Sequence, residues 1–522
     1  MSEIIVVGAG IAGMTAAVKV SELGSHVTLI SPDYSERSQS VMAMGGINAA
    51  LSKNDSVDEH FADTMNGGCG INDVKAVKRL TDDAPQIINW LSSIGTTFTR
   101  DGEGKIDQRY FGGQKKKRTA YAGARTGKQI VTALINECRK NEAAGSITRV
   151  IGWRFLSLII KNGKCLGVIC INEDTSEIRE FLSDSVIIAT GGLNKLFGKT
   201  SGSIHNDGVA TARLFMQGVE LANLEMIQYH PTTVNTPVKR MLITEAARGE
   251  GGKLYTIRDG EKWYFMKEWY PELAELMPRD VVSRSIYKAS EAGKNQVYLD
   301  ISHLDEDIIK TKLDEVYEIC TNYLNLDPTS DAIPVYPGVH FFMGGIKTDE
   351  NHKTNIQGLY AAGECSVQYH GANRLGGNSL LGAVHGGWIA AENAIMDSNE
   401  DYINQIDDEL ESFNKFEKSG KSVDVEDELA EIMAQYMGIY RNEEDLKGAL
   451  AKLEGLEVKA NSYYDYIKLE SLILLAKACV ISALMRKESR GAHQRTDYPQ
   501  TSEEFKMTTC VTYDGEINVA FR

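Results

Sequence analysis

Four short stretches concentrate side chains that can grip an anion and move a proton. They are His230-Pro231-Thr232; residues 242–252, with Thr244, Glu245 and Arg248; residues 278–284, with Arg279 and Arg284; and a pair of segments that carry His340 in one and His370 and Arg374 in the other. Three of the ten histidines fall in these stretches, together with four arginines. Arg grips a carboxylate through a bidentate fork, and His and Thr each add a single hydrogen bond, so the set suits a small dicarboxylate. Glu245 and Arg248 are three residues apart and share a face if that segment is helical. Taken singly, each of these residues reads as a satisfied core or surface group. The set carries the reading.

Such side chains need a scaffold, and the opening of the chain supplies one. Ile4-Ile5-Val6-Val7 is wholly apolar and β-branched, as a buried parallel strand requires. Gly8-Ala9-Gly10-Ile11-Ala12-Gly13 follows, fitting G-x-G-x-x-G. In that pattern the first glycine allows the turn, the second admits a pyrophosphate, and the third lets the next helix pack on the strand. The helix N-terminus then faces the anion. A second strand, His26-Val27-Thr28-Leu29-Ile30, ends at Ser31, where a ribose-binding carboxylate is usual roughly 20 residues on. Next come small and hydroxyl residues leading to Gly45-Gly46, which let backbone lie against a flat ring system. A third apolar strand at 185–190 ends in Gly191-Gly192, and the carboxyl ends of such strands bind ligand. Asp207 precedes a helix, either as its cap or as a cofactor ligand.

Composition sets the outer bounds. At 522 residues and 42% hydrophobic, the chain buries a large core and divides into roughly two to four domains. The formal net charge of −16 argues against nucleic acid as a partner. The basic run Lys115-Lys116-Lys117-Arg118 reads as a solvated loop rather than a wall of the site. The eight cysteines form no C-x-x-C, so no disulfide framework, zinc site or iron–sulfur ligand set is expected. The absence of a signal peptide and of any 18-residue apolar run predicts a cytoplasmic chain that does not span a membrane.

The organisation follows from shifts in pattern. Residues 1–235 read as the first part of a dinucleotide-binding domain, and 236–340, rich in aromatics and charges, as an insertion. The parent pattern resumes over 341–398, including Gly363-Glu364. Residues 399–480 read as helical and charged, and 481–522 as a polar tail with short extended pieces.

The ordered motifs resemble the flavoprotein subunit of fumarate reductase and succinate dehydrogenase, with L-aspartate oxidase as a close relative. The resemblance runs from Gly8 to about residue 499. It rests on residues 45–51, Phe111-Gly112-Gly113-Gln114, residues 248–252, Met343-Gly344-Gly345-Ile346, residues 370–381, and Glu488-Ser489-Arg490-Gly491-Ala492-His493. The Phe-Gly-Gly-Gln loop and Gly376-Gly377 favour the fumarate side. The implied fold is α/β: a Rossmann-type FAD-binding domain, an inserted α+β capping domain and a C-terminal helical domain. The implied FAD ligands are residues 8–13 (Gly8, Ala9, Gly10, Ile11, Ala12, Gly13), Ser31, Ser38, Gln39, Ser40, Gly45, Gly46, Asp207, Glu364, Ser379 and Leu380. His230, Thr244, His340 and Arg374 are implied to hold the two carboxylates, beside Phe111. Arg279 is implied to deliver the proton, with Glu245 and Arg248 as the relay behind it.

One position departs from the family pattern. Relatives with covalently attached FAD have His in Arg-Ser-His-Thr, where this chain has Arg37-Ser38-Gln39-Ser40. Gln39 cannot form that bond, so dissociable FAD and a bias towards fumarate reduction are expected. The resemblance also implies an iron–sulfur electron-transfer subunit, which would hold the chain at the inner face of a membrane; a soluble electron donor is the alternative. Two competing readings are L-aspartate oxidase and a non-catalytic flavin electron-transfer subunit. No metal site is expected.

Overall fold

The structure, a computed structural model, describes residues 2–203, 205–236, 240–291, 293–397, 406–420 and 422–522. Strand β1 (Glu3–Val7) is apolar on both faces and leads through the glycine turn into helix α1 (Ile11–Glu22). Strand β2 (His26–Ser31) pairs parallel to β1, and β3 (Ile147–Ile151) pairs parallel to β2. Between them, helix α2 (Thr126–Ala143) packs on α1. After β3 comes the long strand β4 (Trp153–Lys161), in a separate three-stranded sheet. Strand β5 (Ser185–Ile188) then joins β1 on its other side. The fifth strand of the central sheet arrives from far down the chain.

The inserted region is built on a different sheet. Strand β6 (Ile227–Asn235) pairs antiparallel with β7 (Ile333–Phe342), inside a six-stranded antiparallel sheet. Helix α3 (Arg279–Ala289) lies against β6, tied by Ser283 Oγ donating to the carbonyl of Tyr229 at 2.8 Å. The β6–β7 register slips twice, between Gln228 and Tyr229 and between His230 and Thr233, around Pro231. Proline has no N–H for the ladder, and irregularities of this kind re-aim side chains near sites. This region has its own core, including Val234, Leu254, Val282 and Ile333.

Strand β8 (Leu359–Ala361) returns to the central sheet beside β5, giving the parallel order β8-β5-β1-β2-β3. Helix α4 (Asn378–Ala394) then packs along α1. Gly387 sits at that contact; a Cβ there would stand 2.2 Å from the Ala12 carbonyl oxygen. The expected boundary at 398/399 lies outside the described residues. The last long helix, α5 (Tyr463–Met485), runs five residues past the expected boundary at 480.

One expectation is filled out and one is corrected. The segment after α5, expected as a polar tail with short extended pieces, has those pieces, and much of its charge is buried. Its strands Thr509–Tyr513 and Ile517–Phe521 complete a five-stranded sheet. Arg486, Arg490 and Arg495 are buried there, and Glu488 pairs with Arg486 and Arg490 at 2.9 and 2.7 Å. The basic run at 115–118 is not uniformly solvated either. Arg118 is fully buried between Asp55 at 2.9 Å and Asp63 at 3.0 Å, because a buried cation must be paired. Among the described residues no helix is long and apolar enough to cross a membrane.

Candidate active site

A single long cleft collects almost every candidate residue. Its cavity volume is about 520 Å³, within the usual range for a ligand site. Residues 8–12, Ser31, Ser38, Gln39, Ser40, Gly45, Gly46, Asp207, Glu364, Ser379 and Leu380 line it, with Phe111, His230, Thr244, Glu245, Arg279, His340 and Arg374. Of the expected set, only Gly13 and Arg248 stand behind the wall.

The glycines explain the shape of one part. Gly8 has φ +109°, and a Cβ on it would stand 2.3 Å from the Ala189 carbonyl oxygen. A Cβ on Gly13 would meet the Gly8 carbonyl oxygen at 1.8 Å, so α1 could not approach β1. Gly10 is different. Its Cβ would meet nothing of the protein nearer than Ser40 Oγ at 3.4 Å, so the bare backbone there leaves room on the cleft side, not for protein packing. Ser38 Oγ is buried in the same wall with no protein partner. An open glycine cradle at a helix N-terminus and an unpartnered buried hydroxyl fit a dinucleotide pyrophosphate. Ser31 spends its hydroxyl on the Asp33 carbonyl, at 2.8 Å. Gln39 is held by its side-chain oxygen on the backbone N–H of Ser203. Asp207 accepts from the Val209 N–H at 3.0 Å and pairs with Arg154 at 3.1 Å.

The opposite wall is cationic. Arg279, the first residue of α3, donates to Glu245 Oε2 from Nε at 2.9 Å and from Nη2 at 2.6 Å. Glu245 Oε1 accepts from the Gly112 N–H at 3.1 Å and stands 3.3 Å from Arg248 Nη2. Arg374, on the loop before α4, lies over the Phe341 ring at 4.2 Å, and its Nε is buried without a protein partner. His230 and His340 meet edge to face with centroids 5.1 Å apart. His340 Nδ1 pairs with Ser201 Oγ at 2.8 Å, and His230 Nε2 is buried without a protein partner. Thr244 is buried beside them, its hydroxyl oxygen accepting from the Ala246 N–H at 3.3 Å.

Electrostatics follow from burial and charge. Burial opposes ionisation of Glu245, but Arg279 and Arg248 outweigh it and hold the carboxyl below its usual range. Burial, then Arg279, pulls Arg374 well below the ordinary arginine range. Burial and the nearby guanidinium groups keep His230 and His340 neutral. The pocket thus combines cationic arginines and neutral imidazoles with the Glu245 and Glu364 carboxyl groups.

Sequence reasoning missed Gln228. It is fully buried, and its Oε1 accepts from both Arg279 Nη1 at 3.2 Å and Arg374 Nη2 at 2.9 Å. Its Nε2 donates to the Arg374 carbonyl at 2.8 Å and to Asn373. Its place two residues before His230, on the same strand face, was the available signal. His370, by contrast, is buried against Phe341 outside the cleft lining.

The fold and cleft define a FAD-dependent flavoprotein. The family described as "FAD binding domain" matches residues 3–380, and "Fumarate reductase flavoprotein C-term" matches 426–522. The chain belongs to the succinate dehydrogenase/fumarate reductase flavoprotein family. It is 38% identical to the succinate dehydrogenase flavoprotein subunit of Bacillus subtilis, over 97% of this chain and 93% of that one. It is 33% identical to the fumarate reductase flavoprotein subunit of Mycobacterium tuberculosis, over 99% and 96%. L-aspartate oxidase of Acinetobacter baylyi is 32% identical, over 99% and 97%. A mutant of E. coli quinol fumarate reductase FrdA superposes with a TM-score of 0.92 at 29% identity, covering 100% of this chain and 96% of that one.

Proposed function

We propose that the chain reduces fumarate to succinate, with the site between a FAD-binding part (1–235 and 341–398) and a capping part (236–340). The observation that carries this is the Arg279–Glu245 pair facing Arg374, His230 and His340 across one cleft wall. Arg374, His230, His340 and Thr244 grip the two carboxylates; the unpartnered Arg374 Nε and His230 Nε2 are the hydrogen-bond positions a dianion would fill. Clamping both ends stabilises charge that develops on one carboxylate as the double bond is reduced. A flavin bound there and reduced by its electron donor would supply the hydride to one alkene carbon. Arg279 gives a proton to the other carbon, so that fumarate, a hydride and a proton yield succinate. With Arg279 left neutral, Arg248 passes a proton through the Glu245 carboxylate to Arg279, and solvent on the side away from the cleft reprotonates Arg248. Burial, with the neighbouring Arg279 charge, makes Arg248 readier to yield a proton than free arginine.

Gln39 has no nucleophilic nitrogen for a flavin link, and its side chain is anchored to Ser203, so FAD is held non-covalently. A non-covalent flavin favours fumarate reduction as the working direction. The relatives are named as flavoprotein subunits, which supports a partner subunit, and we propose an iron–sulfur subunit as the electron donor. Reduced viologen oxidised on addition of fumarate tests the activity, with succinate and aspartate oxidation measured beside it. Aspartate oxidation with no fumarate reduction would replace this reading with that of an aspartate oxidase. Flavin colour that stays with acid-precipitated protein would overturn non-covalent attachment.

A further inference from the structure

The end of the cleft away from the cationic wall is closed by an element that no dinucleotide fingerprint specifies. Helix α1 places a pyrophosphate at its N-terminus and β2 directs a ribose to its carboxyl end. With the flavin half towards Arg279, the adenosine half points towards β2, β3 and the start of β4. There the cleft is lined by Trp153, Arg154 and Phe155, by Asp207, and by Tyr464. Tyr464 sits in the first turn of α5, more than 250 residues along the chain from each of these neighbours in the wall, and is 7% exposed.

Arg154 is fixed at its edges. Nη1 pairs with Asp207 at 3.1 Å, and Nε pairs with Glu173. The Asp207 contact is a hydrogen bond along one edge of the guanidinium and leaves its faces free, while Glu173 adds an opposite charge beside Nε. The Arg154 Cζ lies over the Tyr464 ring, 5.3 Å from the centroid. Asp207 is committed to Arg154 and to the Val209 N–H, so its contribution to the site is to hold Arg154 flat.

We propose that Arg154, braced by Asp207 and Glu173 and backed by Tyr464, is the stacking platform for the cofactor's adenine, so that the C-terminal helix takes part in choosing FAD over FMN. The proposal rests on the FAD reading above. A planar cation stacked between an aromatic ring and a purine gains on both faces. It supplies affinity to the adenosine half alone. The neighbouring Tyr463 makes a natural control, because it packs on Phe413 and Phe416 away from the cleft.

The test measures FAD and FMN affinity by flavin fluorescence on the full-length chain stripped of flavin. Tyr464→Leu and Arg154→Gln are expected to weaken FAD binding by about tenfold or more while FMN binding stays within about twofold. Tyr464→Phe, which keeps the ring, and Tyr463→Leu are expected to leave both affinities as in the wild type. Unchanged FAD affinity in Arg154→Gln overturns the proposal even if Tyr464→Leu fails to fold. Equal losses for FAD and FMN overturn it too, since they mark a general structural defect. A wild-type chain that binds neither flavin overturns the FAD reading and this proposal with it.

Discussion

Nε and Nη2 of Arg279 both converge on one oxygen of Glu245, at 2.9 and 2.6 Å. The other oxygen is left for the Gly112 N–H and for Arg248, so the carboxylate stands between two arginines. That placement lets it orient the first and exchange a proton with the second. Glu245→Gln keeps the shape and removes the charge. Its turnover with fumarate is expected to fall by about 10²-fold or more, while KM moves only a few-fold, the mark of a lost proton relay. Arg279 and Arg248 also lose their buried counter-ion, so melting temperature should drop and recover on adding a dicarboxylate. Steady-state kinetics and thermal melts check both arms; turnover within about threefold of the wild type would remove Glu245 from the relay.

Gln228 joins the proton-delivering arginine to the carboxylate-holding one through a single oxygen. Gln228→Leu leaves both guanidinium groups short of an acceptor in a buried place, at a cost of about 1–3 kcal/mol. The expected loss in kcat/KM is roughly 10- to 100-fold, shared between kcat and KM because both arginines shift. Gln228→Glu keeps the acceptor and adds a negative charge. It should raise the KM for fumarate far more than it lowers melting temperature.

What was legible in the sequence was what local spacing encodes. Gly8, Gly10 and Gly13 announce a turn, a cradle and a close helix, because each requirement acts within a few residues. Arg279 and Arg374 were found through motif resemblance, yet nothing local says that they meet. Gln228, Arg118 and Tyr464 escaped for the same reason. Each is defined by partners far away in sequence: Arg374 for the first, Asp55 and Asp63 for the second, Arg154 for the third. The short extended pieces after 485 were legible but their burial was not, because charge usually signals exposure, whereas here arginine and glutamate pair inside the fold.

Glu364 gives a pH dependence with a definite sign. Burial raises its carboxyl to about 7, partly offset by the Phe342 N–H, which donates to it at 3.1 Å, and by Arg374. A folded value above the unfolded one means that the folded state holds the extra proton between about 4.5 and 7. Stability from this group is therefore present below that window and is lost as pH rises through it. Glu364→Gln removes the dependence. Relative to that variant, the wild-type apoprotein should lose melting temperature steadily from pH 4.5 to 7 and then level off. The buried neutral histidines weaken both proteins alike below pH 6.5, so the difference isolates Glu364.

The Phe111 ring is wedged where two glycines let it in. A Cβ on Gly45 would stand 2.6 Å from the tip of the ring, and one on Gly376 would stand 3.0 Å from its edge and 2.7 Å from Glu245 Oε2. Gly45→Ala should therefore displace the ring and the wall beneath it, lowering flavin retention and activity together. Phe111→Leu removes the ring tip that clashes. The double variant Gly45→Ala with Phe111→Leu should then recover most of the flavin retention, with a favourable coupling of about 1–2 kcal/mol in a double-mutant cycle. Gly376→Ala behaves differently, because its clash with Glu245 remains after the ring is trimmed. It should keep its flavin and lose turnover by about tenfold or more, and Phe111→Leu should not restore it. Flavin content after gel filtration and kcat with fumarate separate the two cases. Rescue of Gly376→Ala by Phe111→Leu would show that the ring, not the carboxylate, is what the glycine accommodates.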